Sequence, residues 1–344
     1  MTAPLRYGLV GAGGIGAAYT QVFAGLEEAR LDGIADTDPD RAASAAAALG
    51  CASYPDHLAL TGDVALDAVI VATPPSTHID IARDLVDRGV AVLVEKPFAI
   101  HPDEARELVA EADRAGVQVT MASKFRYVDD IVQARRLLDA GQLGEPIVFE
   151  NSFVSRVEMA GRWNSDAAVS GGGVLIDNGT HSVDVARYLL GPVVEVGANE
   201  GKRVQGLGVE DTAQLLLKHH DGALGSVTLS WSFERGTDVY VGVYGTEGAI
   251  EIGWKHSRRR DAGSREWITF GSGYDKISAM RDQVVNFSHA LLGRESLLIA
   301  PTDAVASVDV IAAAYRSMDG RHPVPVCAQP AVTDGGASPG SQVA

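Results

Sequence analysis

The first third of the chain alternates short apolar runs with longer amphipathic stretches. The apolar runs predict strands at Leu5–Val10, Leu31–Ala35, Ala68–Thr73, Ala91–Val94 and Val117–Ala122. The segments between them have helical spacing and predict helices at Ile15–Glu28, Arg41–Leu49, His78–Arg88 and Pro102–Ala115. Strands that are apolar on both faces and alternate with helices are typical of a parallel sheet with helices on either side.

After Ile147 the pattern changes to consecutive strands. These are expected at Ile147–Phe153, Val193–Ala198, Thr212–Lys218, Ala223–Phe233, Val239–Val243 and Ala249–Ile252, followed by helices at Ala279–Leu292 and Thr302–Ser317. Few helices between strands indicate a largely antiparallel sheet in a second domain. The sequence therefore predicts an α/β domain over residues 1–123, an α+β domain over 124–327, and a disordered Gly-, Ser- and Pro-rich tail over 328–344.

Composition and charge narrow the class of protein. The chain of 344 residues has 29 Lys+Arg against 45 Asp+Glu, a formal net charge of -16, which argues against binding to nucleic acid or to an anionic membrane surface. Its two cysteines, Cys51 and Cys327, are too few for a disulfide framework or a four-ligand zinc site. No apolar run approaches the roughly 18 residues of a membrane span, and no signal peptide is recognised. An acidic cytoplasmic protein is expected.

A glycine-rich segment follows the first predicted strand. Gly11–Ala12–Gly13–Gly14–Ile15–Gly16 matches G-x-G-x-x-G between a strand and a helix, where glycines let the backbone approach a pyrophosphate at the helix N-terminus. Asp36 ends the next strand, 20 residues after Gly16, and would bond the ribose of NAD while repelling the 2′-phosphate of NADP. Arg41 is near enough to approach the same ribose. The alternative is a glycine-rich turn with an ordinary exposed aspartate.

Two further segments carry candidate proton-transfer groups. Lys96 follows Glu95 at the carboxyl end of a predicted parallel strand, where ligands bind in open α/β sheets; it is equally compatible with a surface lysine. After the triple glycine Gly171–Gly173, a predicted helix runs to about Leu190 and places Asp177 and His181, four residues apart, on one face. That pair is also compatible with a non-catalytic helix contact or with two of three metal ligands. No third ligand occurs at a characteristic spacing, so no metal is predicted.

The order of these motifs resembles the Gfo/Idh/MocA family (glucose–fructose oxidoreductase, inositol dehydrogenase and rhizopine catabolism). The resemblance implies an N-terminal Rossmann domain, a C-terminal α+β domain with an open sheet, and NAD(P)-linked oxidation or reduction of a sugar, cyclitol or related secondary alcohol. It maps the family's catalytic lysine, aspartate and histidine onto Lys96, Asp177 and His181. It also implies a cofactor-binding set, which comprises Gly11, Gly13, Gly14, Ile15, Gly16, Asp36, Thr73, Pro74, His78, Glu95 and Lys96.

Substrate-binding residues are expected in segments that depart from the family pattern or that line the substrate pocket in members of the family. Lys124 and Arg126 stand where many relatives have a polar or asparagine-containing loop, and could bind hydroxyls or an anionic substituent; a structural ion pair is the alternative for each. Trp163, beside Arg162, could stack on a sugar ring or belong to the core. The predicted substrate-binding residues are Lys96, Lys124, Arg126, Arg162, Trp163, Asp177, Asn178 and His181.

Together these features predict an NAD-dependent oxidoreductase, with NADP less favoured, acting on a sugar, aminosugar or cyclitol. The Ala-, Arg-, Asp- and Gly-rich composition resembles that of proteins from high-GC bacteria, which suggests an antibiotic-sugar or cyclitol pathway. Whether Lys96 or His181 carries the proton stays open. The alternatives are a catalytically silent dinucleotide-binding regulator and a Rossmann oxidoreductase of aldehydes or imines.

A homodimer or homotetramer is also expected. An uncovered face of the second sheet that carried residues such as Val227, Leu229, Trp231 and Phe233 would expose a large apolar patch, which a second subunit would cover. The family resemblance, with its open C-terminal sheet, supports the same expectation.

Overall fold

The N-terminal part of the protein is a six-stranded parallel sheet. The computed structural model describes residues 3–326. The strands are β1 (Leu5–Val10), β2 (Ala29–Ala35), β3 (Ala52–Tyr54), β4 (Ala68–Val71), β5 (Ala91–Glu95) and β6 (Val119–Ala122). They pair in the order β3-β2-β1-β4-β5-β6, and every pair is parallel. The order reverses between β1 and β4, where ligands bind in such sheets.

Five helices connect these strands. They are α1 (Gly14–Phe23), α2 (Pro39–Leu49), α3 (His57–Asp63), α4 (His78–Asp87) and α5 (Pro102–Ala115). The helix expected at Ile15–Glu28 is shorter than predicted, since α1 ends at Phe23. Local chemistry sets the limits of α2: Asp38 accepts hydrogen bonds from the backbone N–H groups of Asp40 and Arg41 at its start, and Gly50 takes a left-handed conformation at its end.

The C-terminal part contains a mixed, mostly antiparallel sheet. Its strands in residues 3–326 are β7 (Pro146–Val154), β8 (Val193–Glu200), β9 (Thr212–His219), β10 (Leu224–Ser230), β11 (Val239–Gly245), β12 (Gly248–Gly253), β13 (Ser257–Asp261), β14 (Ile268–Gly271) and β15 (Val324–Pro325). They pair in the order β14-β13-β12-β11-β7-β10-β9-β8-β15. The β7–β10 pair is parallel and the other pairs are antiparallel. The predicted α/β and α+β fold class is confirmed.

Five more helices follow among the described residues of this part: α6 (Asp129–Asp139), α7 (Ala167–Ser170), α8 (Val174–Leu190), α9 (Lys276–Leu291) and α10 (Pro301–Gly320). Helices α8 and α10 pack on one face of the sheet. The expectation that Val227, Leu229 and Trp231 lie on an uncovered face is wrong. They are 0%, 0% and 3% exposed, because they occupy alternate positions of one face and that face is covered by the protein's own helices. The side chain of Phe233, beyond the end of β10, is 41% exposed.

The outer face of this sheet has a mixed character. Its largest exposed apolar side chains are Leu216 on β9 and Leu224 on β10, which are 67% and 55% exposed. On the exposed face of β9, Leu216 lies between Gln214 and Lys218. An apolar contact surface on this face is therefore small and lies among polar side chains.

Helix α9 joins the two parts of the molecule. Its residues Met280, Val284 and Phe287 belong to the same buried cluster as Tyr7 and Tyr19 of the first sheet region. The packing therefore crosses the division that was expected after residue 123, and the limits 1–123 and 124–327 stay a prediction. The predicted tail, 328–344, lies outside the described residues. Within residues 3–326, none of the helices has the length and apolar character required to cross a membrane.

Candidate active site

The glycine-rich loop between β1 and α1 is shaped to admit a ligand. Gly11 has a φ of 98°, and a Cβ there would lie 2.6 Å from the carbonyl oxygen of Ala72, so no other residue fits. In contrast, a Cβ on Gly13 or Gly14 would meet nothing within 4 Å, which leaves open space in front of the loop. No side chain caps the start of α1, so its first N–H groups are available to a phosphate. These residues fit a dinucleotide.

A cavity of about 670 Å³ extends from this loop to the second part of the molecule. Gly11, Ile15 and Asp36 line one end, whereas Lys96, Lys124 and Asp177 line the other. The cavity thus collects groups from the carboxyl ends of β1, β2 and β5 and from helix α8. Its volume is in the range of about 300–1,000 Å³ that is usual for ligand sites.

Asp36 is fixed at the far end of this cavity. Its carboxylate accepts hydrogen bonds from the backbone N–H groups of Ala12 (2.7 Å) and Asp38 (2.9 Å), and the residue is 8% exposed. The guanidinium of Arg41 lies 3.6 Å away and also bonds the carboxylate of Asp38. A carboxylate held beside the glycine loop suits the ribose hydroxyls of NAD, and its charge opposes a 2′-phosphate.

Lys96 and Asp177 meet in the cleft between the two sheets. The ammonium of Lys96 is hydrogen-bonded to the carboxylate of Asp177, and it also donates to the carbonyl oxygen of Asp177 at 3.1 Å. The two side chains are 15% and 23% exposed. Glu95 supports this position from the other side, because its carboxylate accepts hydrogen bonds from the hydroxyl of Tyr19 (2.9 Å) and the backbone N–H of Lys96 (3.2 Å).

Lys124 and His181 form a second pair beside the first. The Nζ atom of Lys124 lies 3.2 Å from Nε2 of His181, and Nδ1 of His181 lies 3.5 Å from the hydroxyl of Ser123. Burial is the main cause that lowers the pKa of Lys124 to about 8. Burial, with Lys124 and Lys96 nearby, lowers the pKa of His181 well below its ordinary value. His181 is therefore a neutral imidazole at neutral pH, and it is 5% exposed.

Some of the predicted site residues lie elsewhere. Arg126 is 3% exposed and donates to the carboxylates of Asp184 and Asp303, each at 3.0 Å, which favours the structural ion pair that the sequence left as its alternative. It does not line the cavity, and neither do Arg162, Asn178 and His181. The ring of Trp163 is 46% exposed and does line it.

His78 lies behind the cavity wall instead of in it. The residue is fully buried, and its ring nitrogens each lie 2.8 Å from a backbone carbonyl oxygen, that of Pro97 and that of Thr73. Thr73 and Pro74 line the cavity, as predicted for cofactor-binding residues. His78 thus connects the segments that follow β4 and β5, and any contribution to cofactor binding is made through them.

A group of lining residues between β3 and the start of α3 was not predicted from the sequence. Pro55, Asp56 and His57 reach the cavity near Asp36. The available indication was Asp56, whose carboxylate accepts the N–H of Ala59 and starts α3 in the manner of a helix cap. Asn164, next to Trp163, was also missed. Among the described residues, no group of three or more His, Cys, Asp or Glu side chains is arranged to hold a metal ion.

Comparison with known families accounts for both parts of the chain. Residues 5–123 match the model of the oxidoreductase family with an NAD-binding Rossmann fold, and residues 131–251 match the C-terminal domain of the same family. The chain belongs to the Gfo/Idh/MocA family. It is an NAD-linked oxidoreductase, and the resemblance inferred from its motifs is confirmed.

Individual members of the Gfo/Idh/MocA family are similar over nearly the whole length. The rhizopine catabolism protein MocA of Rhizobium meliloti is 31% identical, over 90% of this chain and 93% of its own. The NAD(+)-dependent scyllo-inositol 2-dehydrogenase of Bacillus subtilis is 26% identical, over 94% and 97%. The crystal structure of GenD2 from gentamicin A biosynthesis, in complex with NAD, is 28% identical and superposes with a TM-score of 0.85 over 95% of this chain and 98% of that one.

Proposed function

We propose that this oxidoreductase transfers a hydride between NAD and a secondary alcohol or ketone carbon of a sugar, aminosugar or cyclitol. The observation that carries the proposal is the single cavity that has the glycine loop and Asp36 at one end and Lys96, Asp177 and Lys124 at the other. When bound, NAD supplies the nicotinamide carbon that accepts or donates the hydride. The protein must then hold the substrate oxygen and move one proton.

Residues at different places along the cavity would bind NAD, hold the substrate oxygen and contact the substrate ring. The loop at Gly13 and Gly14 would hold the pyrophosphate, and Asp36 the adenosine ribose. Lys96, fixed by two oxygen atoms of Asp177, would donate a hydrogen bond to the substrate oxygen and stabilise negative charge on it. The exposed ring of Trp163 on the cavity wall would pack against the apolar face of a sugar or cyclitol ring.

The relatives support the substrate class. Their names include inositol dehydrogenases, D-apiose dehydrogenases and an oxidoreductase subunit for UDP-kanosamine synthesis. The similarity to GenD2 supports an aminosugar and a place in antibiotic-sugar biosynthesis.

We also propose a cytoplasmic homodimer or homotetramer. The two cysteines among 344 residues suit a reducing compartment. Leu216 and Leu224, both more than half exposed on the outer face of the second sheet, support a subunit contact there. In this proposal residues 1–123 bind the cofactor, and residues 124–327 supply the substrate and subunit contacts.

The test is a panel of sugars, aminosugars and inositols offered with NAD and with NADP, followed by the absorbance of the reduced nicotinamide. We expect one compound class to reduce NAD, and the corresponding ketone to oxidise NADH. Lys96→Met is the control for adventitious activity. NAD binding by calorimetry without turnover of any alcohol or ketone would instead indicate a dinucleotide-binding regulator. Turnover confined to aldehydes or imines would indicate the other alternative.

A further inference from the structure

The triple glycine before helix α8 gives room to two residues from distant parts of the chain. A Cβ on Gly173 would lie 2.0 Å from the carbonyl oxygen of Glu210, and a Cβ on Gly172 would lie 1.9 Å from the hydroxyl oxygen of Tyr315. Neither position can therefore carry a larger residue without displacing its neighbour. The glycines allow Glu210 and Tyr315 to lie directly against the start of α8.

Glu210 binds the backbone N–H groups at the start of α8. Its carboxylate accepts hydrogen bonds from the N–H groups of Gly173 (2.9 Å) and Leu175 (3.1 Å), and its carbonyl oxygen accepts the N–H of Val174 (2.9 Å). The residue at the N-cap position is Gly173, which has no side chain that could cap the helix. Glu210 takes the place of that side chain, although it lies 37 residues later in the chain.

Tyr315 on α10 holds the carboxylate of Glu210 from the other side. Glu210 is 5% exposed, and it accepts a hydrogen bond of 2.8 Å from the hydroxyl of Tyr315. Burial, and then the charge of Glu210, raise the pKa of Tyr315, so the phenol stays protonated and able to donate. The start of α8 is thus fixed both to the segment before β9 and to α10.

The first turn of α8 connects this cap to the candidate active site. The N–H of Asp177 donates to the carbonyl oxygen of Gly173 at 3.1 Å, which closes the turn that Glu210 holds at its start. The carboxylate and the carbonyl oxygen of Asp177 both accept hydrogen bonds from the ammonium of Lys96. If the first turn loosened, both oxygen atoms that hold Lys96 would move with it.

We propose that Glu210 is a positioning residue for the reaction, which acts through the first turn of α8 on Asp177 and Lys96. The proposal rests on the proposed function, in which Lys96 holds the substrate oxygen. Glu210 needs no contact with the substrate for this role, because it fixes Asp177 and Asp177 fixes Lys96. A displacement of about 1 Å can cost roughly 10²-fold in rate.

The first test needs no substrate. Lysine side chains labelled with ¹³C at Cε are observed by NMR, and the signal of Lys96 is identified by its absence from Lys96→Met. Because the ammonium of Lys96 is bonded to Asp177, we expect Asp177→Asn to shift this signal and Glu210→Ala to shift it in the same direction. A Lys96 signal that keeps its wild-type position in Glu210→Ala overturns the proposal.

Two further variants separate the role of this cap from a general loss of stability. Asp275→Ala removes a comparable cap from α9, since the carboxylate of Asp275 accepts the N–H groups of Ile277 and Ser278. It should lower the melting temperature and leave the Lys96 signal and kcat unchanged; an equal shift of the signal in Asp275→Ala would refute a specific role of Glu210. Glu210→Asp, which shortens the side chain by one carbon, should shift the signal less than Glu210→Ala, and it provides the test if Glu210→Ala does not fold.

The second test uses the alcohol that best reduces NAD, well below the melting temperature of each variant. We expect Glu210→Ala to lower kcat on the order of 10–100-fold with little change in KM for NAD, because the glycine loop and Asp36 lie at the other end of the cavity. Glu210→Gln, which keeps an oxygen that accepts hydrogen bonds, should recover most of this loss. In the Asp177→Asn background, Glu210→Ala should have little further effect, since both changes act on Lys96.

Two kinetic results would also overturn the proposal. If Glu210→Ala lowers the melting temperature but keeps the wild-type kcat, Glu210 has a structural role alone. If Glu210→Ala lowers kcat equally in the wild-type and Asp177→Asn backgrounds, its effect does not pass through Asp177. If the wild-type protein oxidises no alcohol, the proposed function fails, and the NMR signal of Lys96 still decides whether Glu210 positions that side chain.

Discussion

Asp36 shows how a single side chain sets the choice between two cofactors. Two backbone N–H groups hold its carboxylate beside the glycine loop, so the negative charge stays where a 2′-phosphate would have to lie. The nearby guanidinium of Arg41 is half exposed and forms ion pairs with the carboxylates of Asp36 and Asp38. The preference for NAD or NADP therefore depends on two charges: the carboxylate of Asp36, which is held in place, and the guanidinium of Arg41, which can change its orientation.

We predict that Asp36→Ser shifts the preference toward NADP. Removal of the like charge, together with release of Arg41, should lower the ratio of kcat/KM for NAD to that for NADP on the order of 10–100-fold. Steady-state kinetics with both cofactors measure this ratio. Arg41→Ala in the Asp36→Ser background is the control and should remove most of the gain. An unchanged ratio in Asp36→Ser would show that the selectivity lies elsewhere.

Lys96 and Asp177 are expected to act as one unit because they are directly bonded. Lys96→Met should lower kcat roughly 10²–10⁴-fold, while the affinity for NAD changes far less, since the phosphate and ribose contacts come from other residues. Asp177→Asn should be comparably damaging, and the double variant barely worse than either single one. Lys202→Met, which changes an exposed lysine in a loop, is the matched control. Near-normal kcat in Lys96→Met would contradict the assignment.

The roles of residues in short sequence motifs could be predicted from the sequence. The roles of residues whose partners lie far away in the chain could not. The glycine loop, Asp36 and Lys96 each stand at the end of a predicted strand, and the strand together with the turn after it was enough to identify them. Arg126 illustrates the opposite case, because its structural role depends on Asp184, 58 residues later, and on Asp303. The same distance separates Ser123 from His181, so the orientation of that imidazole was not evident.

At the scale of elements, the buried strands could be predicted from the sequence, and the exposed strand β3 could not. Each residue of β4 and β5 is buried, and both strands stand out as apolar runs. By contrast, β3 has three residues, none of them buried, and its sequence Ala52–Tyr54 contains no apolar run. Helix α6 was missed between recognisable segments; its buried face includes the charged Asp130, which weakens the apolar pattern.

His78 joins two elements, and we predict that its removal loosens both. His78→Ala should lower the free energy of unfolding by about 2–4 kcal/mol, because the variant leaves a cavity and takes a hydrogen-bonding partner from buried carbonyl groups. It should also weaken NAD binding, since Thr73, Pro74 and Lys96 line the cavity from the two connected segments. Urea unfolding and calorimetry measure the two effects. The exposed His220→Ala is the control, and wild-type behaviour of His78→Ala would exclude the bridging role.

At the scale of the whole molecule, the active site depends on contacts that cross between the two sheets. Gln283 of α9 donates to the hydroxyl of Tyr19 at 2.9 Å, and Tyr19 in turn donates to Glu95 at the end of β5. Burial and Glu95 raise the pKa of Tyr19 well above its ordinary value, so the phenol stays protonated and able to donate. Lys96 is thus held by both parts of the chain, since its backbone N–H donates to Glu95 and its ammonium is bonded to Asp177, which a division by sequence position does not reveal.

Two exposed leucines on the outer face of the second sheet predict how the molecule assembles. Leu216 lies near the middle of β9 with 67% of its surface exposed, and Leu224 on the neighbouring strand is 55% exposed. If this outer face is the subunit contact, the wild-type protein should run as a dimer or tetramer at micromolar concentration in light scattering. Leu216→Arg should reduce the mass, because it places a charge in the buried contact.

Leu58→Arg is the matched control for assembly, because Leu58 is also exposed (43%) but lies on α3, in the part of the molecule that contains the first sheet. It should leave the mass unchanged, which separates loss of a contact from a general effect of added charge. A monomeric wild-type protein would exclude the assembly itself. A Leu216→Arg variant with the wild-type mass would place the contact on another surface, and the mixed polar character of this face would then reflect exposure to water.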